Sequence, residues 1–282
     1  YNITKLKMGG SVPKVVVLIL STQRDDYKCF VSNIRNTWAK DLKSNNISCY
    51  FYEGGWDKNS LEGDTIRLNI DDSLSNTYDK FIACASYLSM LSIDYDVLFR
   101  TNLSSYIDVP IFINFLNQSG ISQKSYEGVG GITHLPRERL YAKSPTSYFT
   151  RIVSLATSLC VGFFDIGFGE RIEFRSGAGL FLGSDVVAYL IEYNDYKRHV
   201  MLIDDVKIGW ILKNKFNSVL NVRRFDVLES DAHKITKSEY YEMVSLGLFH
   251  YKFKNKNRAY DCNKIREMHD HSIRALICTK GS

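Results

Sequence analysis

Residues 14–21 read KVVVLILS, an unbroken β-branched and aliphatic run. A strand that is apolar at every position must be covered on both faces, which is the condition of a central parallel strand. Behind it, Phe30, Ile34, Trp38 and Leu42 recur every four residues within 26–42 and stack along one face of a helix. A buried strand feeding an amphipathic helix is the opening unit of an α/β sheet.

The alternation continues downstream. Residues 47–52 (ISCYFY) predict a second strand, Gly54 and Gly55 a loop, and 66–70 a short third strand. Residues 76–91 predict a helix with Phe81, Ala85 and Leu88 on one face, followed by the buried strand 95–100 (YDVLFR). Further on come a helix at 109–116, a strand at 128–133, a helix at 184–193 behind the small-residue turn SGAG, and a helix at 206–214 directly behind Asp204 and Asp205. Residues 134–175 carry no readable pattern. No repeat or low-complexity linker divides the 282 residues. The expectation is therefore one α/β domain, a mostly parallel twisted sheet flanked by helices. Its bounds are 14–265, with an extension at 1–13 and a C-terminal tail at 266–282.

Several function classes are disfavoured. The loop after the first strand, STQRDDY, contains no glycine, so the GxGxxG turn of a dinucleotide-binding unit is missing, and no GxxxxGK[ST] phosphate loop occurs. The longest apolar stretch, 152–164, is interrupted by Ser154, Thr157 and Ser158 and falls short of the roughly 20 residues of a membrane span, so no transmembrane segment is expected. The six cysteines, Cys29, Cys49, Cys84, Cys160, Cys262 and Cys278, show no zinc-like spacing and read as free, mostly buried thiols, the even count also permitting disulfides in a secretory compartment. The net charge of +5 demands no nucleic acid, because Lys and Arg are scattered until 252–264. That segment suits a compact anion such as a diphosphate.

Four constellations can carry chemistry. Asp204 and Asp205 precede a helix, where a carboxylate either accepts a proton from a substrate hydroxyl or simply caps the helix. Gly177, Ala178 and Gly179 let a ligand approach the backbone, or serve sheet packing. Arg24, Arg35 and Lys80 are candidate phosphate ligands, each with the alternative of a solvated charge. His250 is either a metal or phosphate ligand or a hydrogen-bonded histidine at a strand end.

Taken in order, these segments resemble glycosyltransferase family 31, the β-1,3-glycosyltransferases and their Fringe-like relatives. The similarity runs from about Val15 to Arg258. It rests on the first strand with Ile34-Arg35-Asn36-Thr37-Trp38, on the Tyr-containing stretch leading to Lys80, on SGAGLFLGSD, on LIDDVKIG and on FHYKF. The resemblance implies a GT-A fold with a donor half at 14–133 and an acceptor half at 134–265. It implies inverting transfer from a nucleotide-sugar donor to a glycan or glycoconjugate acceptor by direct displacement. Asp205 matches the family's general base and Asp204 is the alternate. Ser21, Thr22, Arg24, Arg35, Lys80, Arg100, Asn102, Ser104, His250, Lys252, Lys254 and Arg258 fall at donor-binding positions.

One departure stands out. Where the family carries an acidic DxD element that holds Mn²⁺ against the diphosphate, this chain has Asn102-Leu103-Ser104. Neutral oxygens supply none of the charge that makes such a site tight, so Ser104 and His250 are weak candidate metal ligands. Lys252, Lys254 and Arg258, with Arg100, are expected to take over part of the metal's role, leaving transfer largely insensitive to EDTA. The same Asn102-Leu103-Ser104 is a glycosylation sequon inside the expected donor site. Together with the cysteines it favours a cytoplasmic location, the alternative being the Golgi lumen behind a removed anchor. The rival functions are a non-catalytic nucleotide-sugar or glycan binder and an unrelated α/β protein that binds polyanions through its basic tail.

Overall fold

The computed structural model describes residues 12–135, 170–193, 203–213, 215–216, 222–227 and 237–280. A seven-stranded sheet runs in the order β3-β4-β2-β1-β5-β8-β7. Its strands are β1 (Val15–Leu20), β2 (Ser48–Glu53), β3 (Ser60–Glu62), β4 (Thr65–Arg67), β5 (Val97–Asn102), β7 (Tyr126–Leu135) and β8 (Glu170–Gly183). β4, β2, β1 and β5 pair in parallel, while β3 and β8 run the other way. A three-stranded sheet of β6 (Ser105–Ile107), β10 (His250–Phe253) and β9 (Phe225–Val227) sits beyond the end of β5. The expected mostly parallel sheet flanked by helices is present.

β1 is buried at all but its last position, and its alternation explains both layers. Val15, Val17 and Ile19 enter the core shared with helices α1 (Lys28–Asn36), α2 (Trp38–Ser44), α4 (Val109–Ser119) and α8 (Arg258–Lys280). Val16 and Leu18 face α3 (Thr77–Met90), α5 (Ser184–Tyr193) and α6 (Asp204–Leu212). The remaining helix, α7, spans Lys237–Ser245. Such two-sided coverage is what a continuous aliphatic strand requires.

Three expectations about elements are corrected. The helix expected over 26–42 starts at Lys28 and breaks at Thr37 into α1 and α2, although Phe30, Ile34, Trp38 and Leu42 are all buried as expected. Thr37 donates its hydroxyl to the Asn33 carbonyl at 2.6 Å, and such back-bonding competes with the helix ladder. The strand expected at 66–70 is the shorter β4, paired with an unforeseen β3 in a hairpin. Ser176 to Gly179 is no turn but the middle of β8, beside a register shift between Gly128 and Gly130 of β7. The tail boundary at residue 265 falls inside α8, whose Ile265 and Met268 are buried in the core. Cys84 and Cys262 are buried and Cys49 half-buried, all unpaired, whereas free Cys29 is exposed. Of the unreadable stretch 134–175, residues 136–169, with Cys160, lie outside the described residues. Among the described residues no helix is long and apolar enough to cross a membrane.

Candidate functional site

β1 has β2 on one side and β5 on the other, so successive crossovers leave it in opposite directions. In open α/β sheets the crevice outside the carboxyl ends of strands at such a switch point is where ligands bind. Ser21 to Gln23 follow β1 there, and Asn102 ends β5 with Leu103 and Ser104 behind it.

Beside the first of these lies an open cleft of about 660 Å³, lined in part by Ser21, Thr22, Lys28, Arg35, Phe51, Glu53, Trp56 and Arg67. Trp56 donates its indole N–H to Glu53 at 3.2 Å, and the Arg67 guanidinium lies 3.8 Å from the Trp56 ring centroid. Arg35 lines the cleft but is forked onto Asp64, with Nε to Oδ2 at 2.9 Å and Nη2 to Oδ1 at 2.6 Å. Ser21 is buried and donates to Glu53 at 3.3 Å. Arg24 is exposed and paired with Asp26.

Lys80 is placed differently from expectation. It is buried, and its ammonium donates to Asp72 Oδ1 at 2.8 Å. Asp72 also accepts from the Thr22 hydroxyl at 2.6 Å and from the backbone N–H groups of Gln23 and Gly54. Although partial burial opposes it, these donors, Lys80 foremost, hold the Asp72 carboxyl below its ordinary range. Asp72 therefore ties the loop after β1 to the loop after β2, and Lys80 is its counter-ion.

The two aspartates open α6, whose N-cap is Ile203. Neither carboxylate caps the helix from the preceding position, which corrects the capping alternative. Asp204 is held by Arg100, a residue only 1% exposed, which also donates Nε to the Tyr52 hydroxyl at 2.9 Å. Asp205 instead accepts from backbone: Val206 N–H at 2.9 Å and Gly177 N–H at 3.3 Å. Burial, and then the neighbouring Asp204 charge, raise the Asp205 pKa above its ordinary value, offset in part by those two N–H groups. A Cβ on Gly177 would lie 3.0 Å from Arg100 Nη1 and 3.1 Å from Asp204 Oδ2, so the small-residue segment does bring β8 against the carboxylates.

The basic segment begins at the end of β10 and runs on into α8, and strand alternation sorts the residues of β10. Tyr251 and Phe253 enter the core, while His250 and Lys252 lie on the opposite face. His250 is 1% exposed, pairs with the Ser105 hydroxyl at 3.1 Å, and packs against Gly179. Burial, then Arg224 and Lys252, push its pKa well below the usual imidazole range, so it is neutral. Lys252 Nζ donates to Asn102 Oδ1 at 2.5 Å and to Ser104 Oγ at 2.9 Å. Burial, followed by Arg224, Arg258 and Lys254, lowers its pKa to about 7. Lys254 pairs with Asp226 at 2.6 Å, and Arg258 with Asp261 at 3.2 Å.

Sequence reasoning missed Arg224. Its guanidinium bonds Ser176 Oγ at 2.8 Å, the Ala178 carbonyl at 2.7 Å and Asp226 at 2.6 Å, joining the segment below Asp205 to the basic cluster. The only available signal was the charged alternation Arg224-Phe225-Asp226 of a short strand.

These residues are a poor match for Mn²⁺. Asn102 and Ser104 already accept from an ammonium, His250 is turned onto Ser105, and among the described residues no group of three or more His, Cys, Asp or Glu is placed to hold a metal.

No protein-family model matches the chain, and no curated protein matches it. Among solved structures it is similar to one described as a glycosyltransferase involved in the glycosylation of the major capsid of PBCV-1. The two share 7% identity over 90% of this chain and 100% of that one, with a TM-score of 0.45. A likeness of that degree assigns no residue a role.

Proposed function

We propose that this chain is an inverting glycosyltransferase of the GT-A type. It moves a sugar from a nucleoside diphosphate sugar to a hydroxyl of a glycan or glycoconjugate. The observation that carries the reading is Asp205: a carboxylate made more basic than usual, held in place by two backbone N–H groups, and free of the direct ion pair that occupies Asp204. A general base needs that combination of raised pKa and fixed position.

In the reaction, the acceptor oxygen attacks the anomeric carbon while the bond to the diphosphate oxygen breaks. The electron pair leaves with the nucleoside diphosphate, Asp205 takes the hydroxyl proton, and the configuration inverts. Arg100 acts as a positioning residue, since it fixes Asp204 beside the base and is itself anchored by Tyr52. The cleft beside Ser21 and Thr22 suits the nucleoside, with Trp56 offering a ring face.

The test is a thermal-shift panel of nucleotide sugars followed by a donor-turnover assay. One donor should raise the melting temperature and be consumed by the parent but not by Asp205→Asn. A panel without any stabilising donor, or equal turnover by the variant, contradicts the reading.

A further inference from the structure

We infer that Lys252 is a built-in cation standing where a metal ion would otherwise bridge the donor diphosphate, so that nucleoside diphosphate binding needs no divalent metal. The inference rests on the donor-site reading above and names how that site neutralises phosphate.

The geometry singles out one residue of the basic segment. Lys252 Nζ is bonded at once to Asn102 and Ser104, the two positions at the end of β5 that lack carboxylates. Two of its three N–H bonds are thereby used, and among the described residues no acceptor takes the third. Lys254 and Arg258 are each tied to a carboxylate, Asp226 and Asp261, and so are less available than the basic run suggests.

The altered motif and the lysine make physical sense only together. An acidic pair at 102 and 104 would close an ion pair with Lys252 and cancel the charge offered to phosphate. Neutral Asn and Ser orient the ammonium by hydrogen bonds and leave its charge unspent. Arg224, immediately ahead of the neighbouring strand β9 and held by Asp226, Ser176 and the Ala178 carbonyl, adds positive potential without blocking the third N–H. Strand register keeps the arrangement rigid: Lys252 lies opposite Ser105 on β6 and Asp226 on β9. With its pKa lowered to about 7, Lys252 is partly neutral in the free chain; an approaching diphosphate favours the protonated form, and the ammonium, already held by Asn102 and Ser104, then stabilises the departing diphosphate.

The experiment is calorimetric titration of the parent chain with uridine, guanosine, cytidine, adenosine and thymidine diphosphates, first in EDTA and then in excess MnCl₂. At least one should bind in EDTA with an affinity within about threefold of that in Mn²⁺. Lys252→Met should weaken that binding by about ten- to a hundredfold, the scale of a charge-assisted hydrogen bond, while Lys252→Arg restores most of it. Binding by the parent that appears only with Mn²⁺ overturns the inference and leaves sugar transfer standing. Absence of binding by every nucleotide in both conditions overturns the two together. Unchanged affinity in a folded Lys252→Met also overturns the inference, and the parent comparison holds whether or not that variant folds.

Discussion

Gly179→Ala tests whether the β8 segment packs as described. Gly179 has φ +117°, a region that residues with a Cβ rarely adopt, and an added Cβ would stand 2.4 Å from both Cε1 and Nδ1 of His250. The ring cannot easily withdraw. It is 1% exposed, its Nε2 is engaged by Ser105 at 3.1 Å, and Phe99 meets it edge-on at 5.9 Å. Backbone strain of about 1–3 kcal/mol and overpacking of about 1–3 kcal/mol give an expected loss of about 2–6 kcal/mol. That is a large share of a typical total of about 5–15 kcal/mol. Urea unfolding measures it through the midpoint at an unchanged slope. In Gly179→Ala combined with His250→Ala, the clash disappears and only the φ strain remains. The double variant should therefore lose about 1–3 kcal/mol less than the two single losses added. A Gly179→Ala chain within about 0.5 kcal/mol of the parent, or strictly additive losses, refutes the reasoning.

Asp205→Asn should lower transfer by about 10²- to 10⁴-fold, yet leave the fold at pH 7 no less stable, because it removes a charge whose burial opposes folding; activity and urea melts read both. A raised folded-state pKa means that protonation of Asp205 favours the native state. The variant's stability advantage should accordingly shrink, and the parent's activity fall, as pH drops through that raised pKa. Asp72→Asn leaves buried Lys80 without its counter-ion and should cost about 3–5 kcal/mol by urea unfolding. Because the Asp72 pKa is lowered, the stability this pair contributes is present above the unfolded carboxylate pKa of about 3.9 and is lost as pH falls below it through the folded value. Arg100→Met strands Asp204 and should cost a similar amount, about 3–5 kcal/mol, with activity falling further than stability alone explains.

Legibility followed the range of the interaction. β1 is readable because a run covered on both faces is aliphatic throughout, β2 and β5 because each holds a short cluster of apolar and aromatic residues, and α3 because its apolar positions share a face. Ser176 to Gly179 was misread because glycine signals a turn locally, whereas here it admits His250 and the Arg100–Asp204 pair between layers. α8 is hard to read as part of the domain beyond residue 265, because its charged composition hides the few residues, Cys262, Ile265 and Met268, that dock it. Asp204 and Asp205 were visible from their place ahead of a helix. The partnership of Lys252 with Asn102 spans 150 residues, and Arg224 reaches Ser176 across 48. No local pattern encodes contacts at that separation, so the sequence shows the basic segment as a charge run but not as one ammonium seated on Asn102 and Ser104.

Sugar transfer with Asp205 as base is tested most directly by following the donor's anomeric proton by NMR, using the nucleotide sugar that stabilises the parent chain. Release of nucleoside diphosphate with a product of inverted anomeric configuration, abolished in Asp205→Asn, is the predicted result. Retained configuration, or turnover that survives loss of the Asp205 carboxylate, contradicts the account.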